Sequence, residues 1–141
     1  MKVDEAAAIQ LYTMEWKPRS QCLYVALNTV LRNENRNALE PWCLYLKLML
    51  TALTQVSSNK MVIWRGVKED LSDKYEVGNE YVWWAFSSCT EELAVLESEF
   101  FLGKSGERTL FNISYDNGKK LLPILIFQVK MKLSFHLQLS F

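Results

Sequence analysis

An arginine at the end of a short apolar run is the first residue whose type and position could do chemistry. The run at residues 61–64 predicts a strand that ends at Arg65 and Gly66. On a pleated strand Arg65 shares a face with Ile63, so its stem would be partly buried and its guanidinium would lie at the end of the sheet. A guanidinium there can bind a phosphate through paired hydrogen bonds, and Gly66 would let a ligand approach the backbone. The alternative is a structural ion pair with a nearby carboxylate, and the position of Arg65 considered by itself slightly favours this ion pair.

A cluster of small side chains is the second candidate. It lies between an aromatic strand predicted at residues 81–86 and a helix predicted to end at Leu96. Its members are Ser87, Ser88, Cys89 and Thr90. Hydroxyl groups at such a junction can hydrogen-bond a ribose or a carboxylate, and the helix start would add backbone donors that favour anions. The alternative is an ordinary helix cap, which serine and threonine commonly provide.

Aromatic side chains surround both candidates in the sequence. Their faces could sandwich a flat ring such as nicotinamide, although packing in the core is the expected role of most of them. They are Trp64, Tyr81, Trp83, Trp84, Phe86, Phe100 and Phe101.

A histidine-based catalytic site lacks support, because the single histidine, His136, lies in a short apolar tail. A dinucleotide-binding fingerprint also lacks support, because no glycine-rich phosphate loop is present.

Charge and cysteine content exclude several classes of function. Sixteen basic and sixteen acidic side chains cancel, and the pI of 6.6 argues against nucleic acid binding. The three cysteines have no metal-ligand spacing, so we expect no metal site and interpret them as small buried thiols of a reducing compartment. No apolar run approaches the ~20 residues of a membrane span, and no signal peptide is evident. We therefore expect a soluble protein, with the cytoplasm slightly favoured over secretion.

The elements that must position these residues follow from one change in composition near residues 57–60. Helix formers without any glycine precede it, whereas all five glycines and the β-favouring residues follow it. This order predicts a helical layer followed by a strand-rich layer, packed as one α+β domain. A first helix is expected over residues 4–16. A second is expected to begin after a cap at Ser20, and a third is expected to have Pro41 in its first turn.

Apolar residues recur at helical spacing in the second and third helices, so the faces they form should be buried. In the second helix they are Leu23, Leu27, Val30 and Leu31. In the third they are Leu39, Trp42, Cys43, Leu46, Leu50 and Leu53.

The strand-rich part continues beyond a charged connection at residues 68–79. Alternation of apolar and polar residues predicts a further strand at residues 109–113, and Asn117 with Gly118 forms a hairpin signal.

Taken together, these blocks resemble the NAD–arginine ADP-ribosyltransferases of the R-S-E branch. The resemblance runs from roughly Asp4 to Asn117 and lies in the order and spacing of several segments. They are DEAAAIQLYTMEW (4–16), PWCLYLKLMLTAL (41–53), VIWRGV (62–67), YVWWAFSSCT (81–90), LESEFFLGKSGERTLF (96–111) and NG (117–118). It implies an N-terminal helical layer packed on a mixed β-sandwich. It also implies NAD, or NADP, as co-substrate and an arginine-bearing protein as acceptor.

The resemblance implies roles for individual residues. Arg65 would contact the NAD phosphates. The family's Ser-Thr-Ser element falls on Ser88, Cys89 and Thr90, the last two being conservative departures from the pattern. Ser88 would then help to hold the nicotinamide ribose and to orient a catalytic glutamate. Ser87 is the spacer before this element, and it takes the role of Ser88 if the register is one residue off.

The Glu-x-Glu pair that the family carries on a loop entering a later strand is missing. Its second glutamate would stabilise the oxocarbenium-like transition state as nicotinamide leaves, and its first would act on the acceptor guanidinium. After Glu107 the sequence contains no glutamate, and residues 119–141 contain no acidic side chain. We therefore expect the last strands to be incomplete or altered and the transferase activity to be impaired or absent.

A shifted reading frame offers an explanation for the missing pair. If each codon takes the third base of one residue and the first two bases of the next, Met131 followed by Lys132 must give glutamate. Lys130 followed by Met131 gives Asn or Asp, and Val129 followed by Lys130 gives glutamate from a GTG codon. Our hypothesis is a frameshift near Lys119.

The domain organisation follows from this hypothesis. Residues 1–118 would form the transferase domain, with a helical part at 1–57 and a strand-rich part at 58–118, and residues 119–141 would form a divergent tail. Two alternatives stay open. The chain could be a non-catalytic NAD-binding or protein-interaction module, or a non-functional fragment.

Overall fold

The structure of the chain, a computed structural model, describes residues 1–98, 102–103, 105–121 and 124–132. Their contacts divide them into two compact units. The first unit holds Met1–Ser57 together with the short segment Trp84–Phe86, and the second holds Ser58–Trp83 and the described residues from Ser87 onward. The boundary that we predict at residue 118 stays a prediction.

The first unit contains the three predicted α-helices, which are α1 (Val3–Thr13), α2 (Leu23–Arg32) and α3 (Cys43–Gln55). Two of the predicted starts are wrong, because short 3-10 helices precede these α-helices. Ser20 lies within the 3-10 helix Arg19–Gln21, so it does not cap α2. Pro41 lies within the 3-10 helix Arg36–Trp42, so it precedes the first turn of α3.

The buried face is predicted better in α2 than in α3. In α2, Leu27 and Leu31 are buried as expected. In α3 the buried side chains are Met49, Ala52 and Leu53, whereas Cys43 and Leu50 are exposed. The predicted α3 face is correct at Leu53 but wrong at Cys43 and Leu50, because α3 has apolar residues on more than one side and the side with Met49 and Ala52 is the one that packs.

Polar contacts join α1 to α3 at two points. The Tyr45 hydroxyl donates a hydrogen bond to the Ala8 carbonyl at 2.7 Å, and burial raises the pKa of Tyr45 to about 12. Near the other end of α3, the Gln55 side-chain amide donates to the buried Glu5 carboxylate at 2.8 Å. The Lys2 backbone N–H donates to the same carboxylate oxygen at 2.7 Å. These bonds satisfy polar groups that burial would otherwise leave costly.

The second unit is built on four strands in the order β1-β3-β4-β2. They are β1 (Ser58–Val67), β2 (Glu80–Cys89), β3 (Thr109–Leu121) and β4 (Ile124–Lys132). Every pairing between these described strands is antiparallel. The combination of helices with this sheet confirms the α+β class. An isolated bridge between Trp64 and Thr90 also joins β1 to the end of β2.

The hairpin predicted at Asn117 and Gly118 is wrong, because β3 continues through both residues to Leu121. The register of β3 against β1 shifts there, since Gly118 pairs with Asn59 but Tyr115 pairs with Met61. One extra residue of β3 therefore lies opposite Lys60, which is a β-bulge. Asn117 lies in this bulge, and Gly118 is paired directly beside it. Pairing of β4 with β3 begins only at Ile124.

The core of the second unit lies on one face of β1 and β3. Ile63, Phe111 and Ile113 are buried there, together with Cys89 and Leu71. Leu71 comes from the connection before β2, which Thr109 holds in place. The buried Thr109 hydroxyl donates to the Glu69 carbonyl at 2.7 Å and accepts from the Leu71 N–H at 2.9 Å. Among the described residues, no helix has the length and apolar character needed to cross a membrane.

Candidate functional site

Arg65 and Ser88, which we predict to contact NAD, lie side by side where β1 and β2 meet. The backbone N–H of Trp64 donates to the Thr90 carbonyl at 2.7 Å, and the N–H of Thr90 donates to the Trp64 carbonyl at 2.9 Å. One residue further along β1, the Arg65 guanidinium donates from Nη1 to the Ser88 carbonyl at 3.2 Å. The two backbone bonds fix the strands, and the third fixes the guanidinium beside the serine.

An aromatic wall supports the guanidinium. The Arg65 Cζ atom lies 5.3 Å from the centre of the Trp83 ring, a cation–π distance. Trp83 is itself held, because its indole Nε1 donates to the Tyr75 hydroxyl at 3.0 Å and its ring packs edge-on against Phe111 at 5.2 Å. Arg65 is half-buried, so these contacts limit the directions in which its side chain can point.

Burial alternates through the hydroxyl cluster. Ser87 and Cys89 are buried, whereas Ser88 between them is exposed. Burial raises the pKa of the Cys89 thiol to about 11, and the nearby positive charge of Arg65 opposes this shift only in part. Ser88 is therefore the member of the three whose side chain solvent and ligands can reach. Our preference for Ser88 over Ser87 as the ligand-binding serine stays a prediction.

Thr90 does not cap the short helix α4 (Leu93–Leu96), whose N-cap residue is Glu92 and carries no side-chain cap bond. The helix-cap alternative is therefore wrong for Thr90, which instead closes a local turn. Its hydroxyl accepts a hydrogen bond from the Glu92 N–H at 3.1 Å. The helix predicted directly behind Thr90 is shorter than expected, because α4 spans only Leu93–Leu96. α4 begins at Leu93, three residues after Thr90, and the expectation that its start supplies anion-binding donors near the serines stays a prediction.

Gly66 is constrained by packing. A Cβ atom on Gly66 would lie 2.3 Å from both Cγ and Cδ1 of Leu102, far inside contact distance. Leu102 is buried, and its backbone N–H donates to the Leu96 carbonyl at 3.0 Å, so it cannot easily move away. Whether a ligand also approaches the Gly66 backbone stays a prediction.

The remaining aromatic candidates have separate surroundings. Within the first unit, Phe86 is buried and its ring packs edge-on against Tyr12 at 5.5 Å. Trp84 is 60% exposed, and the Arg36 guanidinium lies 4.7 Å from its ring centre. Tyr81 packs against Tyr75 at 4.7 Å in the second unit. Phe100 and Phe101 lie outside the described residues, as does His136.

Sequence reasoning missed one polar residue, Asn28. Its side chain is buried in the first unit, where Nδ2 donates to the Phe86 carbonyl and Oδ1 accepts from the Phe86 N–H, both at 3.1 Å. Nδ2 also donates to the Tyr12 hydroxyl at 3.0 Å. The available signal was an amide next to Leu27 on the apolar face of α2, since a buried amide must find partners.

The chemistry of this donor set fits NAD. Arg65 offers a positive charge for phosphate, the exposed Ser88 offers a hydroxyl for ribose, and Trp83 offers an aromatic face.

Two of the three cysteines, Cys22 and Cys89, are buried as predicted, whereas Cys43 is exposed. In the part of the chain that the structure describes, no group of three or more metal-ligating side chains occurs.

The fold is that of an ADP-ribosyltransferase, which confirms the predicted fold. It is similar to the crystal structure of ADP-ribosyltransferase Vis in complex with agmatine, with a TM-score of 0.66, 20% identity and 90% of this chain covered. It is also similar to the Vis toxin from Vibrio splendidus, with a TM-score of 0.65, 20% identity and 92% of this chain covered. The chain spans 64% of the length of either Vis chain. No protein-family profile and no curated protein sequence matches it.

Proposed function

We propose that this chain is the NAD-binding body of a mono-ADP-ribosyltransferase that modifies arginine side chains of proteins. The observation that carries the proposal is the contact between Arg65 and Ser88. Two residues of the types required for phosphate and ribose, 23 positions apart in sequence, lie at the same strand ends. They do so within a fold that ADP-ribosyltransferases share.

Each residue would have a separate task. Arg65 would bind the NAD phosphates, with its guanidinium oriented by Trp83 and by the Ser88 carbonyl. Ser88 would hydrogen-bond the nicotinamide ribose from its exposed position. In the intact enzyme, ADP-ribose passes from NAD to the acceptor guanidinium and nicotinamide leaves. NADP is the alternative co-substrate, and its binding to the same residues would be measured alongside the binding of NAD.

The acceptor is proposed to be an arginine side chain. The Vis toxin has been crystallised with agmatine, whose guanidinium group is the same as that of arginine. The resemblance of this chain to arginine-specific transferases points to the same acceptor chemistry.

Catalysis by this chain is expected to be weak or absent. The glutamate that would stabilise the developing oxocarbenium ion has no counterpart after Glu107, since no further glutamate follows in the sequence. Removal of one such electrostatic group commonly lowers the rate by a factor of about 10² to 10³. A non-catalytic NAD-binding module is therefore the second candidate function, and the same missing glutamates favour it.

Two assays on the purified chain separate these functions. Calorimetric titration with NAD measures binding, and chromatography measures nicotinamide release with agmatine as the acceptor. Binding without release supports the NAD-binding module, whereas release that depends on agmatine supports the transferase. Absence of binding would contradict both. A cooperative thermal transition in the same preparation would exclude a non-folding fragment.

The coding nucleotides test the origin of the missing glutamates. The frameshift hypothesis expects that the alternative frame across residues 118–141 is open and encodes a Glu-x-Glu pair near positions 129–132. A stop codon in that frame, or lysine in place of glutamate, would contradict the hypothesis.

A further inference from the structure

The strand that carries Ser88 is interrupted by a large bulge that ends two residues before the serine. Trp83 of β2 pairs with Val129 of β4, but the next pair along the ladder joins Ser87 to Phe127. Three residues of β2, Trp84–Phe86, therefore lie opposite the single residue Gln128. Two residues are inserted into β2 at this point, which is more than the one residue of an ordinary bulge.

The inserted segment has its own partner in place of the ladder. Trp84–Phe86 belongs to the compact unit of the helices, and its Phe86 N–H and carbonyl are both satisfied by the side chain of Asn28. The side-chain amide of Asn28 thus makes the two hydrogen bonds with the Phe86 backbone that a residue of a neighbouring strand would otherwise make. A buried Phe86 N–H and carbonyl without these bonds would be costly, so Asn28 stabilises the bulged conformation specifically.

The bulge decides which residues of β2 reach β1. If β2 continued from Trp83 as a regular ladder without the bulge, Ser88 would pair with position 124 instead of Ile126. The serine would then lie about 7 Å further along β4, at 3.3–3.4 Å per residue. Its carbonyl would be out of hydrogen-bonding reach of the Arg65 guanidinium, which it now meets at 3.2 Å.

We infer that Asn28 is a positioning residue that sets the register of Ser88 against Arg65 by holding the bulge in β2. The inference rests on the proposed function for its ligand, since NAD is the molecule that the paired residues would bind. Asn28 acts through the backbone of Phe86, two residues before the serine.

The test compares Asn28→Ala with Tyr45→Phe. Each variant removes a side-chain hydrogen bond to a backbone carbonyl of the first unit, but the Tyr45 bond goes to Ala8 in α1. Two properties are measured: hydrogen exchange of the Ser87–Cys89 amides relative to the Tyr81–Trp83 amides, and the Kd of NAD. Asn28→Ala should accelerate exchange at Ser87–Cys89 and raise the Kd at least about tenfold. Tyr45→Phe should change neither, even though it lowers the melting temperature.

The possible results decide the inference in each case. An unchanged Kd and unchanged exchange in Asn28→Ala would overturn it, as would effects of the two variants that scale with their loss of stability. Asn28→Leu, which keeps the branching of the side chain and the apolar helix face, repeats the test if the alanine variant does not fold. If the wild-type chain does not bind NAD, the proposed function fails, and the exchange rates alone then support or overturn the role of Asn28 in the register.

Discussion

The guanidinium of Arg65 donates a hydrogen bond to the backbone carbonyl of Ser88, so the cation of one strand is anchored on the strand that carries the candidate ribose-binding hydroxyl. The bond orients Arg65 through the main chain of its partner. Substitution of the Ser88 side chain therefore leaves this anchor in place, whereas a change in the register of β2 removes it. The two residues lie in contact because the backbone of β2 holds the guanidinium beside the serine.

Replacement of Gly66 should destabilise the second unit through Leu102. A Cβ atom at Gly66 would overlap the Leu102 side chain, and forcing an extra methyl group into packed surroundings typically costs about 1–3 kcal/mol. We expect Gly66→Ala to lower the free energy of unfolding by this amount in urea titrations. The double variant with Leu102→Ala should be more stable than the sum of the two single changes predicts. Additive effects would contradict the contact.

The three cysteines should differ in reactivity. Thiolate is the reactive form, and burial raises the pKa of Cys89 to about 11, so little thiolate exists there at pH 8. Cys43 is exposed. Iodoacetamide at pH 8 should therefore modify Cys43 in the native chain and leave Cys89 unmodified, as measured by peptide mass spectrometry. The same treatment in urea, which should label all three cysteines, is the control. Rapid native labelling of Cys89 would show that this part of β2 is open.

Acid should weaken the contact between α1 and α3. Hydrogen bonds from the Lys2 backbone N–H and the Gln55 side chain lower the pKa of Glu5 below its ordinary value of 4.5. A carboxyl group with a lowered pKa stabilises the fold above its ordinary pKa, and that contribution is lost as the pH falls through its pKa in the folded chain. Glu5→Gln should therefore be less stable than wild type at pH 7, and the difference should shrink below pH 4.5.

Chemical denaturation across this pH range measures the effect of Glu5. The exposed Glu34→Gln variant is the control, and it should follow the wild-type curve at every pH. A difference between wild type and Glu5→Gln that stays constant from pH 7 to pH 3 would mean that the carboxylate charge does not contribute.

The sequence predicts the site in parts better than as a whole. Arg65 and Ser88 are recognisable because each follows a β-favouring run, and the structure places them in contact. The bulge that brings them together is not recognisable, since Trp84–Phe86 contains neither glycine nor proline. Its partner, Asn28, lies 58 residues away. A contact of that sequence separation leaves no local pattern.

Turn and helix signals were misleading where tertiary packing overrides them. Asn117 and Gly118 favour a hairpin, yet β3 passes through them because a bulge tolerates the same residues. The third helix has apolar residues on more than one side, so spacing alone does not determine which face is buried. In the structure Met49 is fully buried, whereas Leu50 next to it is 40% exposed.

The Kd of NAD for wild type and for Arg65→Lys tests the central claim most directly. Lysine keeps the positive charge but lacks the paired donors and the planar group that lies over the Trp83 ring. We predict that wild type binds NAD and that Arg65→Lys raises the Kd by about tenfold or more, which corresponds to about 1.4 kcal/mol. Arg19→Lys, which alters an exposed arginine beside Tyr24 in the first unit, should leave the Kd unchanged. An identical NAD affinity of wild type and Arg65→Lys would contradict the account.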